Sequence, residues 1–256
     1  MSLGKKKIFH QSAAFETDYS LTDSFGDGSG LAYWVNPNTN NSQGTGYYYL
    51  SEDVGSLSTY TFSQGGAIAY HAGNDEVSVH TDASLTTDAH IKTHQSYTVS
   101  SWIRINAATP LNRAHFYWQA HGGSNSTQNS YCSLRDLGSS TWRLEANHFG
   151  GSTSYVYFDF NPSSYTAYTS YYRHFGFVFD SNASTYNFYI NGSSVANGTL
   201  SPSNTINSTS RMNIMGTSYN GGARSQYACY MGDIRWYQRA LTSAEFLAMA
   251  QYDGLP

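Results

Sequence analysis

Tyr97-Thr98-Val99-Ser100-Ser101-Trp102-Ile103-Arg104-Ile105 is the stretch on which the fold turns. Successive side chains of an extended segment point to opposite sides, so Tyr97, Val99, Ile103 and Ile105 share one face. Upstream, the Gly73-Asn74-Asp75 turn leads into Glu76-Val77-Ser78-Val79-His80, with Val77 and Val79 on one side. Further strands are expected at 67–70, 115–120, 155–160, 174–179, 185–190, 194–196, 211–215 and 231–237. A hairpin is expected to pair 131–135 with 142–146 across Gly138. Asn191-Gly192 separates two strands, and a type I′ turn requires positive φ at both central positions, which this pair tolerates best. Turn signals recur about every ten residues, the rhythm of a β-sandwich rather than a βαβ protein.

Toward the N-terminus the pattern weakens. The glycine-rich run 23–30 precedes a strand over 31–35, residues 36–47 form a polar loop, and 47–50 and 58–62 are short strand candidates. Residues 1–22 read as an arm, and 23–256, which has no charged or proline-rich linker and no internal repeat, as one domain. One helix is expected near the C-terminus. Thr242-Ser243-Ala244-Glu245 is a capping box, in which Thr242 accepts from the Glu245 amide and Glu245 reaches back. Phe246, Leu247 and Ala250 then have the spacing to cover one edge of the sandwich.

Composition agrees with an all-β chain. Charged residues make up 12% against an average near ~25%, aromatics reach 16%, and Tyr alone numbers 23. A net charge of -4 argues against a nucleic-acid partner, which would want a basic face. Three of the lysines are Lys5, Lys6 and Lys7, followed by Ile8 and Phe9. This cluster reads either as a solvated tail or as an arm that docks on an acidic partner. The apolar run that an export signal needs is broken by polar residues over 10–12 and meets Glu16, so synthesis in a cytoplasm without export is expected. No stretch is long and apolar enough to span a membrane. Cys132 and Cys229 are too few for a disulfide framework, and free thiols are expected.

Met231-Gly232-Asp233-Ile234-Arg235-Trp236-Tyr237-Gln238-Arg239-Ala240-Leu241-Thr242-Ser243-Ala244-Glu245-Phe246 resembles the closing segment of the laminin-G-like and pentraxin-like jelly rolls of the concanavalin A-like superfamily. The central strand at 97–103, the hairpin Phe188-Tyr189-Ile190-Asn191-Gly192 and the turn and strand at 73–79 resemble the same family, in the same order. The resemblance implies an antiparallel jelly-roll β-sandwich with a short C-terminal helix and, here, an N-terminal arm. The lysine cluster together with Asp23–Trp34 is similar to jelly-roll proteins of tailed bacteriophages, which implies a virion component. A virion protein leaves its cell by lysis, so a missing export signal is consistent with that resemblance.

The family's chemistry is only partly present. Pentraxin-type calcium sites use carboxylates in two loops, whereas the corresponding stretches here, 121–124 and 217–222, contain none. Calcium wants about 6–8 oxygen ligands with several charged, so no such site is expected. Related β-glucanases place two carboxylates on one strand face. None of Glu16, Glu52, Glu76, Glu145 and Glu245 has acidic partners at the required spacing. His80, His90 and His94 come nearest to a metal cluster but lack a ligand-pair spacing. For Asp233 a loop hydrogen bond, exposure and cation contact all stay open. No catalytic residue and no cofactor is expected.

Sugars are recognised by aromatic faces and by amide, hydroxyl or guanidinium groups. Trp118, Tyr131, Tyr219, Asn220 and Arg224 lie in or beside loops at one end of the expected sandwich and form the candidate glycan site. The competing reading makes Trp118 a core residue and 219–224 a plain solvent loop. The expected function is a non-enzymatic virion surface protein, a capsid decoration or fibre component. Lys5, Lys6, Lys7, Ile8 and Phe9 would dock it on capsid or tail proteins while the jelly roll faces a cell-surface glycan. A free-standing lectin module and a β-glucan hydrolase are the alternatives.

Overall fold

The computed structural model describes residues 31–35, 48–49, 61–62, 68–71, 76–79, 85–87, 96–104, 113–120, 129–148, 155–165, 172–201, 212–214, 217–219, 222–224, 229–237 and 239–252. Within these, side chains are described for 96–104, 116–117, 130–148, 155–165, 173–201, 235–237 and 239–251. The expected arm, with Lys5, Lys6, Lys7, Ile8 and Phe9, lies outside the described residues, as does Asn220. Among the described residues the chain runs β1 (Leu31–Val35), β2 (Tyr48–Tyr49), β3 (Thr61–Phe62), β4 (Ile68–His71), β5 (Glu76–Val79), β6 (Leu85–Thr87), β7 (Tyr97–Arg104), β8 (Arg113–Ala120) and β9 (Asn129–Gly138). It continues through β10 (Thr141–Asn147), β11 (Tyr155–Phe160), β12 (Tyr172–Asp180), β13 (Thr185–Ile190), β14 (Ser193–Thr199), β15 (Met212–Ile214), β16 (Thr217–Tyr219), β17 (Gly222–Arg224) and β18 (Cys229–Tyr237), and then helix α1 (Ser243–Tyr252).

Beside a two-stranded ladder of β16 and β17, these strands form two large antiparallel sheets in the manner of a jelly-roll sandwich. One has the order β14-β13-β12-β7-β18-β1-β2, with β5 also on β18 and β4 on β5, and the other β11-β10-β9-β8-β15-β6-β3. The expected strands at 155–160 and 185–190 appear with the expected bounds. Strand β6 and the β16–β17 ladder were not foreseen; both are built from three-residue strands too short to show periodicity.

Facing aromatics hold the sheets together. Tyr97 on β7 stacks on Trp236 of the same sheet at 4.6 Å and meets Tyr117 of the opposite sheet edge-on at 5.7 Å. The Tyr97 and Tyr117 hydroxyls share a 2.7 Å hydrogen bond, so two buried polar groups satisfy each other inside the core. Phe160 and Phe175 bridge the layers at 5.9 Å. Fully burying one such ring contributes about 1.5–3 kcal/mol, and pairing rings in these geometries about 0.5–1.5 kcal/mol more. Cys132 is a free, buried thiol on the inner side of β9.

The expectation for the helix needs correction. It meets the edge strand β14, as expected, but it also lies across the outer face of the larger sheet. Phe246 stacks on Tyr189 at 4.1 Å, and the cluster also takes in Val178, Tyr237, Leu241 and Met249. Gly176 on β12 makes room for it, since a Cβ there would sit 2.0 Å from Phe246 Cζ. Met249 is buried where Leu247, expected on the packed side, is 40% exposed. Both faces of β7 are therefore covered, and only Arg104 in it is not fully buried.

The capping box forms as expected. Thr242 Oγ1 accepts from the Glu245 amide at 3.2 Å, and Glu245 Oε2 accepts from the Thr242 amide at 2.7 Å. Asn191 and Gly192 take φ of 51° and 77°, both positive as a type I′ turn demands.

Candidate functional site

The outer face of the seven-stranded sheet is organised by cross-strand register, because directly opposed residues share a face. Asn213 on β15 pairs with Trp118 on β8, Trp118 with Tyr131 on β9, Tyr131 with Asn147 on β10, and Asn147 with Tyr155 on β11. Aromatic and amide residues thus form one row over five strands, roughly 19 Å long at the ~4.8 Å strand spacing. Tyr131 and Asn147 are half-buried. The next row is His115, Ser133, Glu145 and Tyr157, and the one beyond is Arg113, Arg135, Arg143 and Asp159.

A bulge puts Trp118 in this row. Tyr117 pairs with Cys132 and His115 with Ser133, so Phe116 is an extra residue in β8. Phe116 and Tyr117 are both fully buried, two neighbours turned into the core at one point. Strict alternation from His115 would have assigned position 118 to the core. The slip instead sets position 118 in register with Tyr131.

Of the other expected residues, Tyr219 and Arg224 lie in described strands. Tyr219 and Arg224 are not in an open loop; they lie on the β16–β17 ladder, where Thr217 pairs with Arg224 and Tyr219 with Gly222. Strand β16 runs against β8, which brings this ladder beside the strand of Trp118. Asp233 falls at a register slip of β18, between Gly232 opposite Trp102 and Arg235 opposite Ser100.

Arg143, Glu145, Asn147, Tyr155 and Tyr157 were missed in the sequence. The alternation of Trp142, Leu144 and Ala146 with polar neighbours carried the signal. Glu145 is fully buried, and its oxygens accept from Ser133 Oγ at 2.9 Å and Tyr155 Oη at 2.6 Å. Burial first, and then the bond to Glu145, push the Tyr155 phenol up to about 12. Arg143 grips Asp159 through Nε–Oδ1 at 2.7 Å and Nη2–Oδ2 at 2.8 Å. Those bonds hold the Asp159 carboxyl below its usual range. The Arg143 guanidinium also lies over the Tyr157 ring, 3.9 Å from its centre, and Tyr157 is 51% exposed.

On the outer side of the other sheet a cleft of about 570 Å³ opens beside the start of α1, near Asp180, Asn187, Tyr189 and Ser243. Its polar groups largely serve one another: Asn187 Nδ2 donates to Tyr189 Oη, which shares a 2.8 Å bond with Ser243 Oγ, and Ser194 Oγ donates to Asn187 Oδ1. Among the described residues no three His, Cys, Asp or Glu side chains are grouped to hold a metal ion.

The sequence pattern of Laminin_G_3, described as concanavalin A-like lectin/glucanases superfamily, matches residues 73–246, more than half the chain. The chain belongs to this family. No curated protein matches it. Among solved structures, this Laminin_G_3 chain is similar to the botulinum neurotoxin serotype D ligand binding domain in complex with N-acetylneuraminic acid. That match has TM-score 0.57 and 10% identity, covering 87% of this chain and 51% of that one. The binding domain of Paraclostridial Mosquitocidal Protein 1 matches with TM-score 0.55 and 14% identity over 87% of this chain and 52% of that one. This chain thus spans about half the length of these toxin binding domains. Domain 4 of AbnA, a GH43 extracellular arabinanase from Geobacillus stearothermophilus, in complex with arabinotriose, matches with TM-score 0.55 and 18% identity, over 86% of this chain and 98% of that domain.

Proposed function

We propose that this chain is a non-catalytic glycan-binding module whose outer seven-stranded face receives an extended oligosaccharide. The observation that carries the reading is the register row Asn213, Trp118, Tyr131, Asn147, Tyr155. Aromatic rings offer apolar surface to the C–H faces of sugars, and amides between them offer both donors and acceptors to hydroxyls. A row of roughly 19 Å exceeds one monosaccharide, which favours a chain over a single sugar. Similar domains described in complex with arabinotriose and with N-acetylneuraminic acid support the class of ligand.

Binding rather than hydrolysis is favoured by the state of the acids on this face. Glu145 is sealed under Tyr155 and Ser133, and Asp159 is clamped by Arg143. A glycosidase needs one carboxyl free to donate a proton and a second free to attack or to activate water.

A glycan array with purified protein tests the proposal. Trp118→Ala and Tyr131→Ala should each weaken polysaccharide binding at least tenfold, and Tyr219→Ala should weaken it less. Absence of binding to every polysaccharide, or unchanged binding by both Trp118→Ala and Tyr131→Ala, removes the site. Release of reducing ends from β-glucans would replace the binding reading with the hydrolase one.

The proposal extends to a virion setting, in which the module is displayed on a particle and its first residues dock on capsid or tail proteins. Its support is the sequence alone: Lys5, Lys6 and Lys7 before Ile8 and Phe9, at the head of a chain with net charge -4. An arm that orders on docking would bury Ile8 and Phe9 and set the lysines against acidic patches. Deleting residues 1–15 should abolish incorporation into particles; normal incorporation of the shortened chain rejects the docking role.

A further inference from the structure

We infer that the glycan taken by the seven-stranded face is acidic, a polyuronate whose carboxylates are met by the arginine row at the far end of that face. The inference rests on the glycan-binding reading of the same face and names the chemical class of its ligand.

Arg113, Arg135 and Arg143 stand directly opposite one another on β8, β9 and β10, with Asp159 of β11 closing the row. Like charges directly opposed on neighbouring strands destabilise a sheet. Arg135 and Arg143, with Asp159 as the carboxylate described in this row, are therefore an arrangement that folding alone does not favour. Asp159 is already committed to Arg143 through two hydrogen bonds, and Arg143 is further fixed over Tyr157. Arg135, half-buried in the middle of the row, meets no acceptor among the described residues. Glu145, one row away, is fully buried with its oxygens on the Ser133 and Tyr155 hydroxyls, so it offers Arg135 no competing partner at the surface.

The geometry favours a carboxylate. The planar guanidinium fork matches a carboxylate through two parallel bonds, and the Arg143–Asp159 pair, at 2.7 and 2.8 Å, already displays that contact in this row. Tyr131 and Arg135 lie on the same face of β9, four residues or roughly 13 Å apart along the strand. A short stretch of polysaccharide spans that distance. Its sugar faces would lie on the aromatic row while an acid group reaches Arg135. A uronate polymer carries one carboxylate on each sugar, so it presents an acid near Arg135 in whichever register it binds.

The test measures binding of the purified chain to polygalacturonate, to the same polymer with its carboxyls reduced to alcohols, and to dextran sulfate, at two salt concentrations. Polygalacturonate is expected to bind with an affinity that falls as salt rises, and carboxyl reduction to weaken binding at least tenfold. Arg135→Gln should lower affinity for polygalacturonate by a similar factor and lower affinity for the reduced polymer much less. Its melting temperature should not fall, because the replacement removes a charge that no partner among the described residues uses. Equal binding of acidic and reduced polymers, or full affinity in Arg135→Gln, overturns the acidic inference and leaves the glycan-binding face standing. Preference for dextran sulfate over polygalacturonate overturns the carboxylate assignment. No binding to any of the polymers overturns the inference, and the glycan array then decides the broader reading separately.

Discussion

His174 shows how much one residue can depend on its surroundings. It is fully buried between Trp102 at 5.0 Å and Phe246 at 5.2 Å, and neither ring nitrogen meets a hydrogen-bond partner. Burial, and after it the charge of Arg235, push its pKa down to about 3 from the ordinary 6.5. The unfolded chain therefore takes up a proton near pH 6.5 and the folded chain does not. Between those values the unfolded state binds more protons, so stability falls as pH drops, by up to about 1.4 kcal/mol per pH unit. His174→Phe should flatten the melting temperature between pH 7 and 4; an equally steep decline in the variant would show that other groups cause it. Gly176 makes the complementary case for volume. Gly176→Ala is expected to cost about 1–3 kcal/mol in urea unfolding, because Phe246 is held between Tyr189 and His174 and cannot step aside freely. Adding Phe246→Leu should recover part of that loss, a coupling that distant sites would not show.

At the level of elements, local signals were written plainly where one turn or one cap decides the outcome. Thr242 and Glu245 are three residues apart and bond each other directly, and Asn191-Gly192 needs only its own φ angles. The β9–β10 hairpin is less direct. Gly138 was read as its turn, yet Ser139 and Ser140 occupy the central positions with φ of 52° and 61°, and Gly138 flanks them at 80°. Serine adopts that region at a cost that asparagine and glycine largely avoid. Ser139→Asn with Ser140→Gly should therefore raise stability by about 1 kcal/mol, seen as a higher melting temperature. The candidate face was harder to read. Trp118 reads in the sequence as either core or ligand contact, and its register partner Tyr131 is set by one extra residue, Phe116, in the pairing of β8 with β9. Tyr155 and Asn147 could be seen to point away from Trp142 and Leu144, but not to align with Tyr131.

For the molecule as a whole, the middle of the larger sheet is dry on both faces at β7, one against the second sheet and the other under α1. Ending the chain at Leu241 would leave Val178, Tyr189 and Tyr237 open to water. Each is worth about 1.5–3 kcal/mol when buried. Such a chain should bind a hydrophobic dye and lose its near-ultraviolet circular dichroism, while a truncated form that melts cooperatively near the parent temperature would show that the helix is dispensable. The opposite side of the sandwich carries the proposed site, so the helix is expected to support the scaffold without touching ligand.

From the sequence alone come the strand periodicity, the hairpin at Asn191-Gly192, the cap at Thr242 and the resemblance to laminin-G-like jelly rolls. Each depends on residues close together in the chain, where spacing and chemistry are enough. The tertiary structure alone decided that Trp118 lies in register with Tyr131, that Arg135 is the register partner of both Arg113 and Arg143, and that Gly176 seats the helix over the sheet. Those facts depend on which distant residues pair, and a slip of one residue moves a side chain from one face of a sheet to the other.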